Sequence, residues 1–402
     1  MTERLSTLLH EGAEQIAVPP PSAAEILSRG RSLHGRRRIT SIGAGVAAAL
    51  VLVGGTALLV PDRAPEDRDS LGILAPAVPI DPDGWAVAQG STIHLGSGTT
   101  STVTGKVKAM YYTSAGVMVR TGRTAYTEGD RTSNYFVLAG DGTVRDFALD
   151  LGDLKPGTDP TLPYLAYSVK GDDSKHWELL LRDVRTGKVA TRVPYEGAFT
   201  WGGWNAPPVA LSGDYAYVGI DDATLAINWR TGAVKTAKGL LPSRMPTVAG
   251  GRELVDPRND EQGGVRELES DDAVTESYTV LDAVTGERVG GFDITGTVLS
   301  TPWPQLAPDG QHVLLTPMAM CNEDNECHYE DPSTTVLDVE TGASRRFTIG
   351  DGTFGWSPDG RLLLVTGTEV TSCDADTGEC RTTPVKIDGT GPIRVSGNDN
   401  ES

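Results

Sequence analysis

Histidine, cysteine and aromatic residues are scarce in this chain: six His, four Cys and 6% Phe, Trp and Tyr in 402 residues. No Gly-x-Ser-x-Gly elbow, no His-Glu-x-x-His pair and no Gly-x4-Gly-Lys-Ser/Thr loop occurs. These absences exclude the usual serine-hydrolase, zinc-peptidase and phosphate-loop arrangements, and no cofactor motif is left. Beyond residue 60 the histidines are His94, His176, His312 and His328, too scattered for a local catalytic or zinc motif. The one catalytic arrangement still open is an exported hydrolase built from single residues at a channel mouth. Positive charge is also short. A net charge of −19 excludes nucleic acid as a partner, since a phosphate backbone needs clustered Lys and Arg.

What is abundant is turn-forming residues, 48 Gly and 25 Pro, which implies many short elements rather than long helices. One stretch breaks the pattern. Ile39 to Val60 is apolar and uncharged over its whole length, enough for a helix of about 33 Å to cross a bilayer. Arg36, Arg37 and Arg38 precede it, whereas Asp62, Glu66, Asp67 and Asp69 follow. That asymmetry predicts a single-pass anchor contacting membrane lipid through residues 39–60, with a cytoplasmic N-terminus and the rest outside the cell membrane. A cleaved signal peptide is the competing reading, but the run is long for one and no small-x-small site ends it. Residues 1–38 pattern as short amphipathic helices, with Leu5, Leu8, Leu9, Gly12 and Ile16 on one face. They serve either as an anchor flank or as a docking segment for a cytoplasmic partner. Residues 61–75 read as an extended linker and 398–402 as a tail.

Residues 76–397 carry a repeat. "LLLRDVRTGKVATRV" (179–193), "LAINWRTGAVKTA" (225–237), "YTVLDAVTGERVGGF" (278–292), "TTVLDVETGASRRF" (334–347) and "TSCDADTGECRTT" (371–383) each read strand, Thr-Gly turn, strand. Earlier copies at 93–103 and 136–147 complete a series of turn glycines: Gly98, Gly142, Gly187, Gly232, Gly286, Gly342 and Gly378. A second turn precedes most hairpins, "PDG" at 82–84, 308–310 and 358–360 and "SGD" at 212–214. Four antiparallel strands per period of about 45 residues is the pattern of a propeller blade. The expectation is an all-β, seven-bladed β-propeller behind a single transmembrane helix. Either "LAPAVPI" (74–80) or "GPIRVSG" (391–397) would supply the closing strand.

"WSPDGRLLLVTG…CDADTGE" and "LAPDGQHVLLT…TTVLDVETG" resemble the WD-repeat-like, Pro-Asp-Gly blades of the TolB-type propeller family. The resemblance covers residues 354–383 closely and 303–347 less so, and the earlier units share only turn spacing. It implies a binding scaffold for proteins or ligands, without an inherent catalytic set. The membrane span and the lack of a separate N-terminal α/β domain depart from the soluble periplasmic family layout.

The four cysteines fall on the exported side, where an even number reads as disulfides. Their spacing suggests Cys321–Cys327 and Cys373–Cys380, with the crossed pairings open. Between the first pair, "NEDNE" offers oxygen ligands but lacks the glycine and spacing of a calcium loop, and zinc would find only His328 beside the cysteines. No metal site is expected. "FTWGGWNAPP" (199–208) sets Trp201, Trp204 and Asn205 among glycines. These three are the candidate contact surface for an extracytoplasmic protein or glycan, against the alternative that the tryptophans fill gaps between blades. The functional expectation is a membrane-anchored, non-enzymatic binding or scaffolding module. The alternative is a transmembrane signal transducer, resembling anti-sigma regulators in layout, with the propeller as sensor.

Overall fold

The computed structural model describes residues 81, 84–126, 132–152, 154–200, 204–240, 246–257, 274–296, 303–316, 320–321, 327–328, 333–348 and 352–395. They form strands only, grouped into seven four-stranded antiparallel sheets and one small hairpin. The first sheet uses β1 (Ala86–Gln89), β2 (Thr92–Leu95) and β3 (Thr100–Thr102). Blade 2 is β4 (Lys106–Thr113), β5 (Gly116–Gly122), β6 (Asn134–Leu138) and β7 (Val144–Phe147). Blade 3 is β8 (Gly157–Thr158), β9 (Tyr164–Lys170), β10 (His176–Asp183) and β11 (Val189–Glu196). Blade 4 is β12 (Val209–Ser212), β13 (Tyr215–Gly219), β14 (Thr224–Asn228) and β15 (Ala233–Thr236). Blade 5 is β16 (Val248–Ala249), β17 (Arg252–Val255), β18 (Val274–Asp282) and β19 (Arg288–Gly296). Blade 6 begins with β20 (Trp303–Leu306) and β21 (His312–Thr316). It then inserts the hairpin β22 (Met320–Cys321) and β23 (Cys327–His328), and ends with β24 (Ser333–Asp338) and β25 (Ser344–Thr348). Blade 7 is β26 (Thr353–Trp356), β27 (Leu362–Val365), β28 (Glu369–Cys373) and β29 (Cys380–Pro384).

The last strand, β30 (Ile393–Val395), does not start an eighth blade. It pairs with β1, Val87 opposite Val395 and Gln89 opposite Ile393, and becomes the fourth strand of blade 1. The C-terminal of the two candidates therefore closes the ring, while residues 74–80 lie outside the described residues. So do the segments 1–38, 39–60, 61–75 and 398–402. Among the described residues no helix is long and apolar enough to cross a membrane.

The first strands line the centre, where β4 neighbours β8 and β30, β12 neighbours β8 and β16, and β26 neighbours β30. The fourth strands form the rim; β15 is exposed along its whole length. Apolar side chains sit between the blades, and one continuous cluster spans blades 2, 3 and 4. Val107, Met110 and Val119 meet Ala88, Ile93 and Leu95 between blades 1 and 2. Trp356, Leu362 and Leu364 meet Leu314, Val336 and Phe347 between blades 6 and 7. Trp85 and Val87 meet Leu363, Val365 and Val370 where the ring closes. Interlocking by apolar area, rather than hydrogen bonds between sheets, is what holds such a ring together.

The repeated Thr-Gly turn has one mechanism in five blades. Asp183, Asn228, Asp282, Asp338 and Asp374 each accept, through Oδ1, the amide of the turn threonine three residues on. That threonine's hydroxyl in turn accepts the amide two residues further. Both are side-chain mimics of a backbone turn. The following glycine must adopt positive φ, from 69° at Gly342 to 86° at Gly142 across all seven turns.

Candidate functional site

In a four-stranded antiparallel blade, the first and third turns emerge at one end and the remaining connections at the other. Here the two ends differ sharply. The turn face carries only tight connections, such as 114–115, 184–188, 229–232 and 374–379. All the long connections leave from the opposite end: 123–133, 148–156, 197–208, 237–247, 256–273 and 317–332. This loop face is where the chain spends residues that the ring does not need.

The candidate contact segment 199–208 belongs to the loop face, in the 197–208 connection from blade 3 to blade 4. Trp204 is half-buried and packs against the cluster of blades 2 to 4, so it both anchors the loop and shows an edge to solvent. Asn205 is exposed, and its Nδ2 lies 3.4 Å from where a Cβ on Gly152 would stand, so the 197–208 and 148–156 loops are adjacent. Trp201 lies outside the described residues. Farther back, Trp177 donates from Nε1 to the Gly197 carbonyl at 3.0 Å and meets Phe199 edge to face at 6.0 Å, which fixes the start of the loop. Trp85, Trp177, Trp229 and Trp356 are buried, as the gap-filling alternative expects of tryptophan.

Two buried cations support the same face. Lys108 on β4 and Arg120 on β5 are each only 1% exposed. Lys108 Nζ donates to the Thr132 carbonyl at 2.9 Å. Arg120 donates from Nε to Ser133 Oγ at 3.0 Å and from Nη2 to the Gly152 carbonyl at 3.1 Å. The pair thus ties the 123–133 and 148–156 loops to the central strands. Sequence reasoning passed over both. Their signal is a cation inside an otherwise apolar strand, "KVKAMYYT" and "GVMVRTG".

The turn face has its own feature, a cavity of about 330 Å³ among the first-turn tips of blades 7, 1, 2 and 3. Trp85, Tyr112, Ser114, Ala115, Pro160 and Pro358 line it. Tyr112 Oη accepts the Ala86 amide at 3.3 Å, which holds the ring upright in the wall. The volume is at the small end for a ligand site.

Of the predicted disulfides, Cys373–Cys380 is formed, joining directly opposed residues of β28 and β29. Cys321 and Cys327 stand opposite each other in the β22–β23 register, the backbone placement a second bridge requires. The intervening 322–326 lies outside the described residues.

No family model matches the chain and no curated protein matches it. Solved structures do. The chain is similar to hydrazine synthase from Kuenenia stuttgartiensis, with 14% identity over 67% of this chain and 77% of that one, at a TM-score of 0.39. It is similar to apo AztD from Citrobacter koseri, with 11% identity over 78% and 99%, at 0.43. It is similar to TolB from Acinetobacter baumannii, with 11% identity over 79% and 68%, at 0.35. At such values none of these likenesses bears on function, and the seven-bladed architecture rests on the chain's own seven sheets.

Proposed function

We propose that this chain is a membrane-anchored, extracytoplasmic binding module whose loop face holds a protein or glycan partner. The observation that carries it is the asymmetry of the ring: every long connection leaves the strands at the same end, and buried Lys108 and Arg120 hold described residues of two of them in place. Loops set on a rigid scaffold are where binding residues concentrate. The anchor follows from the uncharged 39–60 span and its flanking arginines. A second disulfide, Cys321–Cys327, belongs to the same reading, because β22 and β23 set the two cysteines in register within the 317–332 insertion.

The test is binding of purified full-length protein to cell-wall glycan fragments and to secreted proteins of the source cell. Trp204→Ala combined with Asn205→Ala weakens the interaction by about 30-fold or more if Trp204 is an anchor. Lys188→Ala, on the turn face, leaves it unchanged. Equal loss in both variants, or loss only from the turn-face change, refutes the proposal.

A further inference from the structure

On the turn face, the residue opposite each turn-capping Asp or Asn varies from blade to blade. In blade 5 it is Arg252, whose Nη1 lies 3.0 Å from Asp282 Oδ2. Blade 7 has the same arrangement, with Arg361 Nη1 3.5 Å from Asp374 Oδ2. Both give the capping carboxylate a permanent cation. Blade 6 has His312 there, paired in register with Asp338.

His312 is 4% exposed, and its Nε2 points across the blade joint to Asp376 Oδ1 at 3.0 Å. Its buried Nδ1 has no hydrogen-bond partner. One donor atom from each of His312, Asp338 and Asp376 falls within 4.8 Å of the other two. Asp309 adds a third acidic group beside them. Its carboxyl is pushed up by burial and by the charge of Asp376, against the Gln311 amide and His312, which lower it. The neighbouring guanidinium of Arg345 is spent on the Asp376 carbonyl oxygen at 2.7 Å, not on its carboxylate. Arg252 Nη2 is turned to Glu340 at 3.6 Å.

We infer that His312, Asp338 and Asp376 form a binding site for a divalent first-row transition cation, clamped between blades 6 and 7. The geometry suits one. An imidazole, unlike a guanidinium, can present a nitrogen lone pair. Ligands about 2.1 Å from a common ion stand about 3 to 4 Å apart, so the three donors need only a small closure. Asp338 is oriented in advance, because one of its oxygens already takes the Thr341 amide at 2.6 Å and the Thr341 hydroxyl at 2.7 Å. Such outer hydrogen bonds orient metal carboxylates generally. Asp376 is fixed on both sides, its amide donating to Asp374 and its carbonyl taken by Arg345. A mixed nitrogen and carboxylate set with an exposed third ligand leaves coordination positions for water. It favours Zn²⁺, Co²⁺ or Mn²⁺ over Ca²⁺, which takes an all-oxygen cage.

The experiment is calorimetric titration of chelator-treated full-length protein with Zn²⁺, with Co²⁺ as a visible-spectrum probe and Ca²⁺ as the contrast. The expected result is one equivalent of Zn²⁺ or Co²⁺ bound, a higher thermal midpoint and no response to Ca²⁺. His312→Gln should abolish binding. Asp376→Asn, at a mostly exposed carboxylate whose loss leaves the fold intact, should weaken it by at least about tenfold. Absence of Zn²⁺ and Co²⁺ binding, a preference for Ca²⁺, or undiminished binding in Asp376→Asn would overturn the site.

Discussion

Single buried polar groups decide much about this ring. Glu253 on β17 is 5% exposed, its Oε2 has no hydrogen-bond partner, and burial pushes its carboxyl up to about 8 despite a hydrogen bond from the Thr247 backbone. Tyr217 from blade 4 faces it, its phenol pushed up by the same burial and by the negative groups Asp282 and Glu253. In the folded protein Glu253 thus stays protonated where the unfolded chain has already ionised it. Unfolding releases that proton, so the stability contributed by this group is fully present below the ordinary carboxylate value and is lost as pH rises towards 8. Urea denaturation at a series of pH values should show this decline, on the order of a few kcal/mol in total. Glu253→Gln should flatten it and be the more stable protein at pH 8. Arg120→Ala should cost about 3 kcal/mol by leaving the Gly152 carbonyl short of a buried donor, measurable in the same assay. Glu253 was not legible in the sequence, because a Glu in a short strand reads as a solvent-facing position until its neighbours are known, whereas Arg120 left the one signal of a cation in an otherwise apolar strand.

At the scale of elements, the turns were legible and the links between blades were not. All seven turn glycines read from spacing alone adopt positive φ. The wide gaps from Gly232 to Gly286 and from Gly286 to Gly342 are explained by the insertions 256–273 and 317–332. The motif at 82–84 behaves differently: Gly84 donates to the Asp81 carbonyl as in a first turn, yet the strand that should precede it is β30, from the other end of the chain. Missed altogether was a strut three residues after the turn glycine. There Ser101, Arg145, Lys235 and Arg345 each donate to a carbonyl in the next blade's turn, at Gly142, Val184, Val284 and Asp376. The spacing is constant, but the chemistry alternates between hydroxyl, guanidinium and ammonium, so no residue pattern marks it. Asp282→Ala, which removes a cap on two turn amides, should cost about 1 kcal/mol in chemical denaturation. The Cys373–Cys380 bridge spans a sequence separation of only 7. Cys373→Ser with Cys380→Ser should therefore cost less than about 3 kcal/mol, and the variant should still fold.

For the molecule as a whole, the blade count came from local repeats, whereas closure is a long-range pairing that local pattern does not encode. Truncation at residue 390 removes β30, so blade 1 loses its inner strand and the joint with blade 7 loses Val395. A broad, early thermal transition in place of a single sharp one is the expected outcome, read by circular dichroism. Function is least legible of all, because a propeller's partner is set by loops with no repeat to read. On the proposed reading, the loop face meets the partner outside the membrane. Photo-crosslinking residues placed at Asn205 on the loop face and Lys188 on the turn face, in intact cells, test it most directly. A discrete crosslinked species is expected from position 205 and none from 188. Crosslinks from 188 alone would contradict it.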